Sequence, residues 1–202
     1  MDWTTQQNLC VGIGASAGGL REVLTICSRL PEEFAGIIIL AMHRHPDEPG
    51  NQLKDLVEQF AHLNVAGIRD GSHLCCATIH VSRPCDMSEV VHGHFRTRAD
   101  SCSSDRMTRI DEVFQSMACE FGRNSVGIIL SGTLDDGVQG LVAIRRAGGR
   151  CIVQDPKLAT FDEMPRNALH TVGADFIGSS DEIASELHRL SLGRVCVDQC
   201  QQ

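Results

Sequence analysis

The sequence predicts an α/β fold: a doubly wound, mostly parallel sheet with helices on both faces and an inserted antiparallel β-hairpin. Short aliphatic runs alternate with segments whose apolar residues recur at three- and four-residue steps, the order of strands and the helices that cover them. Aromatic residues are only 4% of the 202, with no Tyr, while glycine reaches 19; that mix suits tight turns between aliphatic elements better than an aromatic-rich sandwich. With 42% hydrophobic and 22% charged residues the chain can bury a core, and its length fits one domain over 1–202. The core is expected at about 9–190 and a tail at about 191–202.

LCVGIG at 9–14 is a short apolar run ending in glycines. Leu20, Val23, Leu24, Cys27 and Leu30 then form a helical stripe that stops at Pro31, which has no N–H to continue it. GIIILAMH at 36–43 is a continuous β-branched run of the kind buried on both faces. HPDEPG follows as a loop, then a helix from about 52 to 61. Residues 65–68 predict a third strand before the Asp70-Gly71 turn. From 73 to 97 no helical stripe occurs, and TIHVS and EVVHG, separated by Pro84, predict the two arms of the hairpin. After the polar loop RADSCSSDRMT, Ile110, Val113, Phe114, Met117 and Phe121 mark a helix ending near Gly122. VGIILSG at 126–132 is another buried strand. Val138, Leu141, Val142 and Ile144 give the next stripe, closed by Gly148-Gly149 before the strand RCIVQD. Pro165 begins a short helix toward His170, and ADFIG is the last strand. Ser179 with Glu182 is a capping-box start for a terminal helix carrying Ile183, Leu187 and Leu190.

Eighteen Lys and Arg against 26 Asp and Glu leave a charge of -8, the wrong sign for neutralising phosphates, so no nucleic-acid partner is expected. No apolar run approaches the roughly 18 residues of a membrane span, and MDWTTQQN lacks the parts of a signal peptide. A cytoplasmic protein without membrane insertion is expected. The ten cysteines are scattered, without a C-x-x-C pair, which reads as reduced, partly buried thiols; Cys196 and Cys200 are the pair that oxidation would join. His43-x-His45 and His92-x-His94 each set two imidazoles on one side of a strand, but neither has a Cys or carboxylate at a metal spacing. No metal and no cofactor is expected.

Gly14-Ala15-Ser16-Ala17-Gly18 is a G-x-S-x-G between a strand and a helix, the context of a nucleophile elbow. A serine on such a turn is exposed and strained, and the following helix adds free N–H groups and the positive end of its dipole beside a developing oxyanion. The Ala17 N–H is the natural donor. A Gly-rich turn also opens nucleotide-binding folds, but G-x-G-x-x-G would need glycine where Ala17 stands, and the P-loop ending is absent. Small residues here also serve plain helix-to-strand packing.

A serine needs a base and an orienting acid. His43 follows the strand GIIILAM, and Asp136 follows VGIIL in the loop 132–137. In an open parallel sheet both converge with Ser16 at the carboxyl edge. His43 would take the Ser16 proton and return it to the leaving group, while Asp136 holds the imidazole. His45 and Asp135 compete for these roles, and Asp47, Asp70, Asp155 and Asp162 also lie near strand ends. Asp136 alone would read as the N-cap of the helix beginning at Val138.

The order Ser, His, Asp differs from that of lipases and esterases. GIGASAGG, the histidine in AMHRHPDEP, VGIILSGTLDDGVQGLVAIRRAGG and VQDPKLATFDEMPRNALHTVGAD together resemble the catalytic domain of the bacterial chemotaxis methylesterase CheB, over about 11–177. The resemblance implies hydrolysis of glutamate methyl esters on chemoreceptor signalling helices, releasing methanol, with glutamine deamidation as a related activity. It implies Ser16, His43 and Asp136 as catalytic residues, favouring Asp136 over Asp135. It further implies Ala17 and Thr133 as backbone oxyanion donors, and Met164 and Pro165 beside the site.

Four positions depart from the family pattern: Ala17 where Thr is common, Thr133-Leu134-Asp135 for Met-Gly-Asn, Met42 for Gln, and Met107 to Asp111 for an Arg-Pro-Ser-Val-Asp-like entry. They bear on substrate preference more than on reaction type. Family members usually carry an N-terminal receiver domain, and this chain begins about ten residues before the first strand. The expectation is a stand-alone esterase governed by a separate regulatory partner or by expression, or a fragment. A non-catalytic chemotaxis module that binds receptor helices is the alternative, and a nucleotide-binding module ranks third.

Overall fold

A computed structural model describes residues 8–101 and 107–196. Seven parallel strands form one sheet: β1 (Cys10–Ala15), β2 (Ile37–Met42), β3 (Asn64–Gly67), β4 (Thr78–Val81), β7 (Ser125–Ile129), β8 (Arg150–Gln154) and β9 (Phe176–Gly178), in the order β3-β4-β2-β1-β7-β8-β9. A separate antiparallel pair, β5 (Asp86–Val91) and β6 (His94–Ala99), is the hairpin. The helices are α1 (Leu20–Arg29), α2 (Gln52–Glu58), α3 (Arg109–Phe121), α4 (Val138–Arg146), α5 (Glu163–Thr171) and α6 (Ser180–Ser191). The doubly wound α/β architecture with a hairpin insertion is therefore present. Among the described residues no helix is long and apolar enough to cross a membrane.

The period of two along each strand divides the core between the sheet's faces. Val11, Ile13, Ile38, Leu40, Val126 and Ile128 point to the side covered by α1, α2 and α6. Cys10, Ile37, Ile39, Ile129, Cys151 and Val153 point to the side covered by α3, α4, α5 and the hairpin. On this second side β1 carries glycine at 12 and 14. A Cβ at Gly12 would lie 2.6 Å from Phe114 Cε1 and one at Gly14 would lie 2.5 Å from Ile110 Cγ2. Helix α3 therefore rests on bare backbone, and this close approach brings its N-terminus to the carboxyl edge of the sheet.

Two sequence expectations need correction. TIHV is not a hairpin arm: Thr78 to Val81 pair in parallel with both β2 and β3, and all four residues are buried. Pro84 ends that strand's segment, and the hairpin instead turns at His92-Gly93, both at positive φ (52° and 77°), as a two-residue loop of the primed type requires. The cysteines also differ. Cys76 is bonded to Cys196, 120 residues away, and Cys75 is disulfide-bonded as well, whereas Cys10, Cys27 and Cys151 are buried free thiols. Cys196 packs against the second core and is joined to Cys76 at the entry to β4, a juxtaposition no spacing rule contains. Cys200, Cys102 and the rest of 102–106 lie outside the described residues.

Smaller differences follow local rules. Helix α5 begins two residues before Pro165, which sits in the first turn where its missing N–H costs nothing. The capping box of Ser179 and Glu182 is formed. Gly12→Ala should destabilise the protein by about 1–3 kcal/mol through overpacking against Phe114 and Met117, read as a lowered urea midpoint with unchanged slope.

Candidate active site

The site grows from the register of the three central strands. Ala15 pairs with Met42, so the residues that follow each strand, Ser16 and His43, are neighbours. The His43 N–H donates to Ala15 O at 3.1 Å, and the Ser16 N–H donates to Ser131 O at 3.0 Å. Side chains from three strand ends then meet: His43 Nδ1 lies 3.2 Å from Ser16 Oγ, and His43 Nε2 lies 2.6 Å from Asp136 Oδ2.

The proton on His43 follows from its partners. Asp136 is 2% exposed, and its carboxylate accepts the N–H of Ile110 at 2.9 Å and of Asp111 at 3.0 Å. Both lie in the first turn of α3, where unsatisfied N–H groups and the helix dipole favour an anion. An ionised carboxylate only accepts, so Nε2 carries the imidazole proton and Nδ1 turns its lone pair to the serine hydroxyl. Asp136 does not cap α4, whose N-cap is Gly137 at φ 93° with no side-chain bond. It caps α3 instead.

Most of the competing residues are occupied elsewhere. Asp135 is exposed. The exposed His45 faces Asp47 at 3.5 Å. Asp70 accepts the Thr97 N–H, Asp155 the Lys157 N–H, and Asp162 pairs with Arg166. His94 Nδ1 contacts the His92 carbonyl at 2.9 Å, and its ring lies against His73. Among the described residues no group of three or more His, Cys, Asp or Glu side chains is arranged to hold a metal.

The N–H groups of Ala17 and Thr133 donate to no acceptor among the described residues. They flank Ser16 from two loops, and Gly132 explains how the loops come so close. A Cβ there would lie 2.8 Å from Ser16 Cβ and 2.0 Å from Met164 Sδ. Gly132 and the 161–164 segment are zipped by Gly132 N–H to Phe161 O and Met164 N–H to Gly132 O, each 3.0 Å. Met164 is thus a fully buried wall beside the serine, and Pro165 is buried behind it in α5. Leu134 adopts a left-handed φ of 69°, and its carbonyl accepts Asn167 Nδ2 at 2.8 Å.

Sequence reasoning missed Ser131 and Gln154. The Ser131 N–H donates to Gln154 Oε1 at 2.8 Å, while Ser131 Oγ donates to Ala17 O and accepts the Phe161 N–H, both at 2.9 Å. One buried hydroxyl therefore fastens the serine turn to the 161–164 wall. Its signal in the sequence was a small polar residue closing the apolar run VGIIL. Asp111 was also passed over. Burial, with help from the Asp136 and Asp135 charges, pushes its carboxyl up from 3.8 to about 6, while it accepts the Gly140 N–H at 2.7 Å.

Beside Ser16 a solvent-open groove of about 320 Å³ runs between the first turn of α1 and helix α2, walled by Leu20, Met42, His43, Arg44, Leu53 and Leu56. A serine hydroxyl within reach of an imidazole, two N–H groups without an acceptor among the described residues and an adjoining groove are parts that acyl-transfer chemistry can use.

The chain has recognisable relatives. A family model described as CheB methylesterase matches residues 11–187. A protein-glutamate methylesterase/protein-glutamine glutaminase of Gluconobacter oxydans is 26% identical over 205 residues, 95% of this chain and 54% of that one. One of the same name from Pyrococcus horikoshii is 27% identical over 182 residues, 87% of this chain and 48% of that one. The chain spans about half the length of these two. A relative from Leptospira interrogans, which bears that name provisionally, is 27% identical over 186 residues, 88% of this chain and 92% of that one. The crystal structure of the Thermotoga maritima CheB methylesterase catalytic domain matches with a TM-score of 0.83 at 22% identity, over 91% of this chain and 98% of that one, which shows a shared fold.

The raised Asp111 carboxyl has a signed consequence. The folded state holds this proton more tightly than the unfolded state, so stability from this group is present below 3.8 and is lost as pH rises through about 6. Asp111→Asn, which keeps an acceptor for Gly140, should gain in unfolding free energy relative to the parent across that window. Urea titrations of both proteins at several pH values test this, and parallel curves would contradict it.

Proposed function

Because the chain belongs to the CheB methylesterase family, we propose that it is a serine hydrolase that removes methyl esters from glutamate side chains of chemoreceptor proteins in the cytoplasm. The observation that carries this reading is the continuous relay from Ser16 through His43 to the buried Asp136, beside two uncommitted backbone donors. The names of its relatives support the same substrate class.

In the proposed reaction Ser16 Oγ attacks the ester carbonyl and its proton passes to His43 Nδ1. The imidazolium is stabilised by Asp136, already oriented by two helix N–H groups. The carbonyl oxygen, now an oxyanion, is received by the N–H groups of Ala17 and Thr133. Collapse of the tetrahedral intermediate breaks the bond to the methoxy group, which takes the proton from His43 and leaves as methanol. Water, deprotonated by His43, then attacks the acyl-serine carbonyl, and the bond to Ser16 Oγ breaks as that oxygen takes the proton back from His43, which frees the glutamate and restores the serine. A glutamine side chain enters the same sequence with ammonia as the leaving group. No cofactor is needed at any step.

The proposed partner is a methylated signalling helix. The apolar walls of the groove beside Ser16 fit an apolar flank of such a helix, and a separate regulatory partner completes the reading. The alternative of a silent receptor-binding module predicts no turnover.

Methanol release from a methylated chemoreceptor signalling fragment tests the proposal. Ser16→Ala should lower the rate by on the order of 10⁴-fold or more at unchanged circular dichroism, and full activity in that variant would overturn the reading. Asp136→Asn should lose about 10⁴-fold in kcat, because the amide offers the imidazole no fixed negative partner.

A further inference from the structure

Two buried arginines lie behind the relay and have no part in the chemistry described so far. Arg109 is 1% exposed, and the Arg44 side chain is 5% exposed. They grip consecutive carbonyls of one segment: Arg44 Nη2 donates to Ser82 O, and Arg109 Nη1 donates to Arg83 O at 2.9 Å. That segment is itself pinned, because Ser82 Oγ and its N–H both donate to Leu40 O in β2, at 3.0 and 3.2 Å.

Their places in the chain give the grip its meaning. Arg44 follows His43 directly. Arg109 precedes Ile110, whose N–H, with that of Asp111, holds Asp136. The loop that bears the base and the helix that holds the acid are therefore fastened to adjacent carbonyls of one strut.

The arrangement is costly as pure architecture. The two guanidiniums repel each other, and burial, the leading cause, with Arg44 nearby pushes the Arg109 pKa down. Among the described residues Arg44 pairs with Glu48 at 2.8 Å and Arg109 with Asp100 at 3.6 Å. The Nε atoms of both and Nη2 of Arg109 have no hydrogen-bond partner among the described residues. Apolar side chains of similar volume fill such space at least as stably in many proteins.

We propose that Arg44 and Arg109 are positioning residues for the Ser16–His43–Asp136 relay, clamping the base loop and the acid-holding helix to the Ser82–Arg83 carbonyls. The proposal rests on the hydrolase reading. Loss of either clamp lets His43 and Asp136 drift apart, which lowers kcat and leaves ester binding largely intact. Arg44 also borders the groove beside Ser16, so Arg109 gives the cleaner test.

Arg109→Met, Arg109→Lys and the parent are compared at matched folding in three measurements: methanol release, the rate at which a fluorophosphonate labels Ser16, and the downfield proton resonance of His43 Nε2–H. For Arg109→Met we expect a loss of about 10- to 100-fold in kcat with KM within about twofold of the parent. Labelling should slow in parallel and the downfield resonance should be lost or shifted. Arg109→Lys, which keeps a donor for Arg83 O, should recover part of each and serves alone if the Met variant does not fold. A lowered melting temperature with kcat, labelling and resonance unchanged would assign Arg109 to stability only and overturn the proposal.

Parent protein that labels but releases no methanol would refute the methylesterase reading, while the labelling comparison still decides the clamp. Parent protein that does neither refutes the hydrolase reading, and the resonance alone then decides whether Arg109 holds the His43–Asp136 pair.

Discussion

The carboxylate of Asp136 at the N-terminus of α3 is the contact on which the site depends. A buried charge needs partners, and this one has three: two N–H groups of the helix and the imidazole of His43. The helix can supply them only because Gly12 and Gly14 let it settle onto the centre of the sheet. Backbone stripped of side chains in β1 thus governs an electrostatic contact on another element, and through it the direction in which His43 faces Ser16.

Much of this organisation was legible in the sequence because it is local. The β-branched run at 36–43 and the glycine-flanked Ser16 carry their strand and turn within a few residues, and Ser179 with Glu182 encodes a helix start by chemistry alone. The pairing of TIHV was not local. Its four residues are buried against neighbours on both sides, whereas alternation within a short segment looks the same in a hairpin arm. The hairpin's real turn, His92-Gly93, was hidden because His-Gly is not one of the Asn-Gly, Asp-Gly or Gly-Gly pairs that signal a two-residue hairpin loop. The Cys76–Cys196 bond joins residues 120 apart, beyond any spacing argument.

The site residues divide in the same way. Ser16 and His43 could be read from the ends of their strands. Asp136 could be named from the resemblance, but that it caps α3, over 20 residues earlier in the chain, is a tertiary fact. Ser131 and Gln154 escaped because a single serine or glutamine at a strand end has no pattern; only packing shows one hydroxyl tying two loops together. Charge is distributed with equal economy. Three aspartates, 111, 135 and 136, lie within electrostatic reach of one another, and two guanidiniums are held on the Ser82–Arg83 carbonyls.

The double duty of Asp136 bears on how such a site would decay. Were a lineage to abandon the chemistry and keep the fold, selection for a folded protein would go on preserving this aspartate, since the first turn of α3 needs an acceptor whether or not an ester is ever cleaved. Ser16 and His43 cap no helix, so drift would reach them first. In any set of descendants, an intact aspartate is a record of folding, and the serine and histidine are the record of catalysis.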